Sequence, residues 1–216
     1  MMKLKVLISF YLLIIAKTTL AEDIDLNLNK WHTVKYSKIK PNVIKQIKKS
    51  IEISVNNSSS ALVFKFDQIK VIRRVKIKAK LKGLINYHGS PPGSEDADDF
   101  PLRVGFILKG NKKLNFFQKR IAPDWLVQLD KISSTNGGLD KVHSLIFYTE
   151  NPKFKKREHP LSSYFFEEAA TQFIDFKLDT THSFLKELEI IGIWLSSDGD
   201  DTKSSFSVII ESIVLN

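Results

Sequence analysis

The chain predicts an all-β fold: an antiparallel two-sheet β-sandwich, or a barrel, carrying one or two short helices. Three observations carry that expectation. Apolar side chains recur at every second position through long stretches of the sequence, which is the period of a half-buried strand. Roughly ten such runs are separated by turn residues, a spacing typical of sandwiches and barrels. Fifteen Phe residues accompany the many Val and Ile, and such side chains fill the interface between packed sheets.

Taken in order, Trp31 to Tyr36 reads as a strand and Ile51 to Val55 alternates cleanly. Asn56 to Ser60 is a turn, and Ala61 to Phe66 is the returning arm of a hairpin. Val71 to Leu81 has the clearest pattern, with Val75, Ile77, Ala79 and Leu81 on one face and Arg74, Lys76, Lys78 and Lys80 on the other. Asn86 to Asp99, with Gly89, Pro91, Pro92 and Gly93, is a long polar loop. Further strands are expected at Leu102 to Leu108, Trp125 to Leu129, His143 to Thr149, Phe173 to Leu178, Glu189 to Leu195 and Ser205 to Leu215. Pro41 to Lys49 and Ser162 to Thr171 are the helix candidates, and Thr180 to Lys186 is a further possible helical turn. Glu150 to His159 reads as a basic connection.

The N-terminus has the three parts of a secretory signal. Lys3 and Lys5 give the positive start, Val6 to Ala16 the apolar stretch, and Thr19-Leu20-Ala21 the small residues at a cleavage site. The apolar stretch is shorter than the roughly 20 residues that span a bilayer. Residues 1–21 are therefore expected to be a signal peptide and residues 22–216 a single exported domain, periplasmic or secreted. No transmembrane segment is expected after cleavage. The chain has no Cys, which excludes disulfides, a thiolate nucleophile, Cys-ligated zinc and a lipid-modified N-terminal Cys. Residues 22–216 hold 30 basic and 24 acidic side chains, a net +6. That excess suits an anionic envelope polymer, while export argues against nucleic acid.

Two acidic clusters each adjoin a strand. Glu95 to Asp99 leads through Phe100 and Pro101 into Leu102-Arg103-Val104-Gly105-Phe106-Ile107, and Ile190 to Leu195 runs out into Ser196-Ser197-Asp198-Gly199-Asp200-Asp201. Asp and Gly are common turn residues for backbone reasons. Crowded carboxylates also suit a hard cation, which takes six to eight oxygen ligands. Asp96, Asp98 and Asp200 are the candidates for a structural Ca²⁺, although neither cluster has the EF-hand spacing. Otherwise no cofactor is expected. Asp98, Asp99, Asp198 and Asp201 are candidate ligand contacts, and Asp99 and Asp201 could accept hydrogen bonds from sugar hydroxyls or from Arg103. Trp125 and Tyr87 are the aromatic candidates, whereas Trp194 lies in an apolar run and reads as core. The basic face of Arg74, Lys76, Lys78 and Lys80 could follow an anionic polymer, or simply keep a strand soluble.

The Asp98-Asp99-Phe100 step into a Val- and Phe-rich strand, followed by a late Asp-rich turn before a final strand, resembles the exported bacterial domain family DUF3047. The resemblance runs from about Trp31 to Leu215 and implies a likeness to galactose-binding jelly rolls. This chain departs from the family's Trp-rich strand at Val71 to Leu81, which here carries Lys and Arg, and from the Thr/Asp alternation of the late turn.

No catalytic constellation stands out. The five His are scattered, there is no HExxH or GxSxG, and a carboxylate pair drawn from Asp99, Glu150 or Glu167 has no spacing that singles it out. The expected function is a non-catalytic exported domain binding a carbohydrate or other envelope polymer. A periplasmic structural or protein-interaction module is the alternative, and a glycan hydrolase a third.

Overall fold

A computed structural model describes residues 21–216, so the expected signal segment before Ala21 lies outside the described residues. The fold is mostly β. Its strands are β1 (Glu22–Asp23), β2 (Trp31–Lys35), β3 (Val43–Ile47), β4 (Ser50–Asn56), β5 (Ser59–Lys82), β6 (Leu102–Lys112), β7 (Leu139–Tyr148), β8 (Lys156–His159), β9 (Ser162–Gln172), β10 (Lys177–Asp198) and β11 (Ser205–Leu215). Two short helices, α1 (Phe116–Ile121) and α2 (Asp124–Ser133), lie between β6 and β7.

The strands form one hydrogen-bonded path, β3-β4-β11-β5-β10-β6-β7-β9-β8, with β1 added to β11 and β2 to β5. The sheet is mixed, because β7 and β9 run parallel while the other pairs are antiparallel. The antiparallel β5–β10 pair is the spine. On its other side β5 takes β2 along Ser60 to Phe64 and β11 along Val75 to Lys82. The register of β10 breaks between Ser183 and Leu188 and again between Ile190 and Gly192. Gly192 is required at the second break: a Cβ there would lie 2.5 Å from the Phe64 carbonyl oxygen.

Residues from both ends of this path share one apolar cluster. Ile53 on β4, Ile77 on β5 and Ile210 on β11 belong to it, and so do Val104 on β6, Leu145 on β7 and Leu195 on β10. Val75, Ile77, Ala79 and Leu81 are all buried, as the alternation predicts. The opposite face of the β5–β10–β6–β7 region carries a second cluster built from Val34, Ala61, Val63, Ile107, Val142, Ile191 and Trp194, together with Leu129 of α2. Those strands therefore bury both faces, which explains their near-continuous apolar runs.

Several expected elements differ. Val43–Ile47 is a strand, not a helix: its Val and Ile side chains pair with β4 across a tight turn in which Lys48 takes φ 53°. Ser162–Gln172 is likewise a strand, held between β7 and β8, where its aromatic run fits a pleated surface. Asp124–Ser133 is a helix instead of a strand, since Leu126, Leu129 and Ser133 recur at helical spacing and are buried together. Full burial of a Leu side chain contributes roughly 1.5–3 kcal/mol, enough to offset the cost of holding so short a helix. Thr180–Lys186 continues β10 and forms no helical turn. Phe173 to Phe176 forms a turn, with Asp175 and Phe176 at positive φ, and β10 begins only at Lys177. The basic connection contains β8.

Candidate functional site

Period two places the site. On β6, Leu102, Val104 and Phe106 enter the first cluster, so Arg103 and Gly105 face the other way. Arg103 lies opposite Ser196 on β10, two residues before Asp198, and opposite Ile146 on β7. Glu167 on β9 lies opposite Ser144, itself paired with Gly105. Arg157 on β8 lies opposite Glu167. Four strands distant in sequence thus bring two guanidinium groups and several carboxylates onto one face.

The contacts among them are dense. Arg103 donates from Nε to Glu167 Oε1 at 3.1 Å, from Nη2 to the Asp98 carbonyl at 2.7 Å, and from Nη1 to Asp198 Oδ2. Arg157 donates from Nε to Glu167 Oε2 at 2.7 Å, from Nη1 to the Gly93 carbonyl at 2.8 Å, and from Nη2 to Asp98 Oδ1. Each guanidinium lies over an aromatic ring, Arg103 on Phe100 at 4.8 Å and Arg157 on Phe154 at 3.9 Å. Burial pushes the Glu167 carboxyl upward, but Arg103 and Arg157 overcome it and hold the group below its ordinary value. Burial pushes Asp198 well up, opposed by Arg103 and reinforced by Asp99 and Asp98. Burial also lowers the His159 imidazole below its ordinary value, opposed by the Glu167 charge.

The two acidic segments meet at this point. Asp99 is 1% exposed, and its Oδ2 accepts from both the backbone N–H and the hydroxyl of Thr202 at 2.6 Å. The Asp201 N–H donates to Asp99 Oδ1 at 3.4 Å. The Asp198 N–H donates to the Phe100 carbonyl at 3.3 Å, and the Phe100 N–H donates to Asp198 Oδ1 at 3.4 Å. Tyr87 is buried, and its hydroxyl donates to the Asp99 carbonyl at 3.1 Å. Asp98, Asp99, Arg103, Asp198 and Tyr87 are thus all engaged by their own chain, forming a clasp that ties the start of β6 to the end of β10.

Asp96 is exposed in the loop, and Asp200 is half-buried on the late turn. Burial and the Asp99 charge raise both Asp200 and Asp201, the latter to about 6. Among the described residues, Asp98, His159 and Glu167 have ligand atoms within 4.8 Å of one another, a possible metal donor set. Arg157 already donates to both of those carboxylates. Two cations of the chain itself neutralise the place.

The basic face is partly balanced. Lys76 and Lys78 reach Asp179 at 3.7 and 2.9 Å, and Lys80 pairs with Glu211. These exposed pairs are worth little in stability, but they reduce the positive field that a long anionic polymer would meet.

Beside the clasp lies an aromatic patch. Trp125, on the first turn of α2, is half-buried against Phe165 at a centroid distance of 5.4 Å and against Tyr164 at 6.4 Å. Phe165 stacks in turn on the edge of the buried Trp194 at 5.3 Å and lies 6.2 Å from His159. Tyr36, which follows β2, packs on the same cluster. Burial drives its phenol far above the ordinary value, with Asp198 and Asp200 adding to the rise and Arg103 opposing it.

Of the residues singled out in the sequence, the fold gathers Asp98, Asp99, Arg103, Asp198, Asp201 and Tyr87 at the clasp and sets Trp125 in the adjoining patch. Arg74, Lys76, Lys78 and Lys80 lie elsewhere, on the outward side of β5. Arg157, His159, Thr202, Tyr36, Tyr164 and Phe165 were not expected at the site.

No family model matches this chain, and no curated protein matches it. Among solved structures, a match described as "xylan-binding module CBM15" is 12% identical and covers 91% of this chain and 95% of that one, with a TM-score of 0.40.

Proposed function

We propose that this protein is an exported, non-catalytic carbohydrate-binding domain whose ligand face is the Trp125–Tyr164–Phe165 patch. The observation that carries this reading is a cluster of half-buried aromatic rings fixed from beneath by Trp194. Partly exposed aromatic rings offer apolar faces to the C–H side of a pyranose. Rings held rigid by a packed core lose little freedom when a ligand docks, which preserves affinity. His159 borders the patch and supplies a polar edge for sugar hydroxyls.

The non-catalytic part of the reading is supported by the state of the buried carboxylates. Glu167, Asp98 and Asp198 each receive a guanidinium donor, whereas glycoside hydrolysis needs one carboxyl free to give a proton and another free to attack or activate water. Membership of the DUF3047 family, a jelly-roll sandwich built by folding the long β5–β10 spine, and export through residues 1–21 belong to the same proposal.

The test is binding of soluble polysaccharides by the wild-type protein and by Trp125→Ala and Tyr164→Ala. Removing a central aromatic contact should weaken binding about tenfold or more. Unchanged affinity in both variants would refute the assignment of the patch.

A further inference from the structure

We propose that α1 is a membrane-surface anchor that seats Phe116, Phe117 and Ile121 in an anionic phospholipid layer. This goes beyond the carbohydrate reading and does not depend on it. The three side chains are 64%, 76% and 86% exposed, a concentration of bare apolar surface that soluble proteins seldom leave without a partner. Phe117 and Ile121 are four residues apart and so share one side of the helix. Phe116 packs edge-on against Phe117 at 5.7 Å, with the Arg120 guanidinium 4.7 Å from the Phe116 ring.

The backing of this helix is polar. Asn115 Oδ1 accepts from the Gln118 N–H and Gln118 Oε1 accepts from the Asn115 N–H, both at 2.9 Å. Asp130, buried on α2, accepts from the Leu114 N–H at 2.7 Å and pairs with Lys119 at 3.0 Å. Such a short helix would not persist alone. It is held in place by caps and a buried carboxylate, so its apolar side chains are free to point away from the protein.

Charge selects the partner. From Lys109 to Pro123 there are five cations, Lys109, Lys112, Lys113, Lys119 and Arg120, and no carboxylate. Lys113 and Arg120 have no acidic partner among the described residues, whereas the other three are paired with Glu189, Asp140 and Asp130. Exposed Phe and Ile ringed by Lys and Arg match an interface of acyl chains beneath anionic headgroups.

Because the chain has no Cys, a single Cys at a chosen position can carry an environment-sensitive dye. Phe117→Cys and Leu185→Cys would be labelled in the full chain, Leu185 being 97% exposed on a different strand. Each would be titrated with vesicles of pure phosphatidylcholine and with vesicles containing phosphatidylglycerol. The expected result is a blue shift at position 117 with the anionic vesicles alone and none at 185. Lys113→Gln with Arg120→Gln should weaken that response by about fivefold per charge, and Trp125→Ala should leave it intact. No shift at 117, or equal shifts at 117 and 185, would overturn the proposal. Loss of glycan binding in Trp125→Ala with an unchanged shift at 117 separates the two surfaces.

Discussion

Replacing Arg103 with Met tests the clasp at its centre. Met keeps an apolar stem over the Phe100 ring but removes the donors to Glu167, Asp198 and the Asp98 carbonyl. Breaking a buried ion pair by deleting one partner costs roughly 3–5 kcal/mol. The lower end applies here, because Arg157 still reaches Glu167 at 2.6 Å and also pairs with Asp98, leaving Asp198 as the abandoned group. About 3 kcal/mol in a protein of this size lowers Tm by about 6–12 °C. The loss should shrink in acid. Burial raises the Asp198 carboxyl even with Arg103 present, and losing that cation raises it further, so the variant's deficit grows as pH rises and shrinks as Asp198 protonates. Thermal melts of wild type and Arg103→Met at pH 8 and pH 4 measure both effects, with the exposed Lys78→Met as a control expected within about 0.5 kcal/mol of wild type. A melt at pH 8 within about 2 °C of wild type would refute the clasp as a stabilising element.

Two further outcomes follow from the same geometry. Asp201 has its pKa raised to about 6, first by burial and then by Asp99 and Asp200, from an ordinary 3.8. Its ionisation therefore opposes folding, so stability contributed here falls as pH rises from about 4 to about 6. Asp201→Asn should flatten that part of the Tm–pH profile and raise Tm at pH 7; a profile identical to wild type would contradict the assignment. A Cβ on Gly105 would lie 2.5 Å from Val142 Cγ1 and 3.1 Å from both Ser144 Oγ and Trp194 Cβ. Gly105→Ala should cost about 1–3 kcal/mol by overpacking, read from urea unfolding at unchanged slope.

Period two located most of the strands of the main core, and the alternation of Val75 to Leu81 gave its buried face correctly, but it split the single strand β5 in two and expected a hairpin with β4, which pairs instead with β3 and β11. It failed where other constraints decided the structure. Trp125 to Leu129 looks strand-like because four apolar residues crowd five positions, yet Leu126, Leu129 and Ser133 form a helical stripe. Tyr164 to Gln172 is a strand only because β7 and β8 flank it, and no local pattern announces a parallel neighbour. The sequence offered Asp99 or Asp201 as partners for Arg103, but the guanidinium meets Asp198 and Asp98, while Asp99 is taken by Thr202. What occupies the acidic segments was not legible, since Arg157 and Thr202 reach the clasp from strands and turns about 60 and 100 residues away along the chain.

The most direct test of the account is electrophoretic retardation of the protein by a panel of soluble plant and bacterial polysaccharides. The central claim is that the aromatic patch binds ligand while the acidic segments hold the fold together. Saturable retardation by at least one polysaccharide is expected, lost in Trp125→Ala and retained in Asp201→Asn. Retardation that survives Trp125→Ala but disappears in Asp201→Asn would contradict that claim, as would no retardation by any member of the panel.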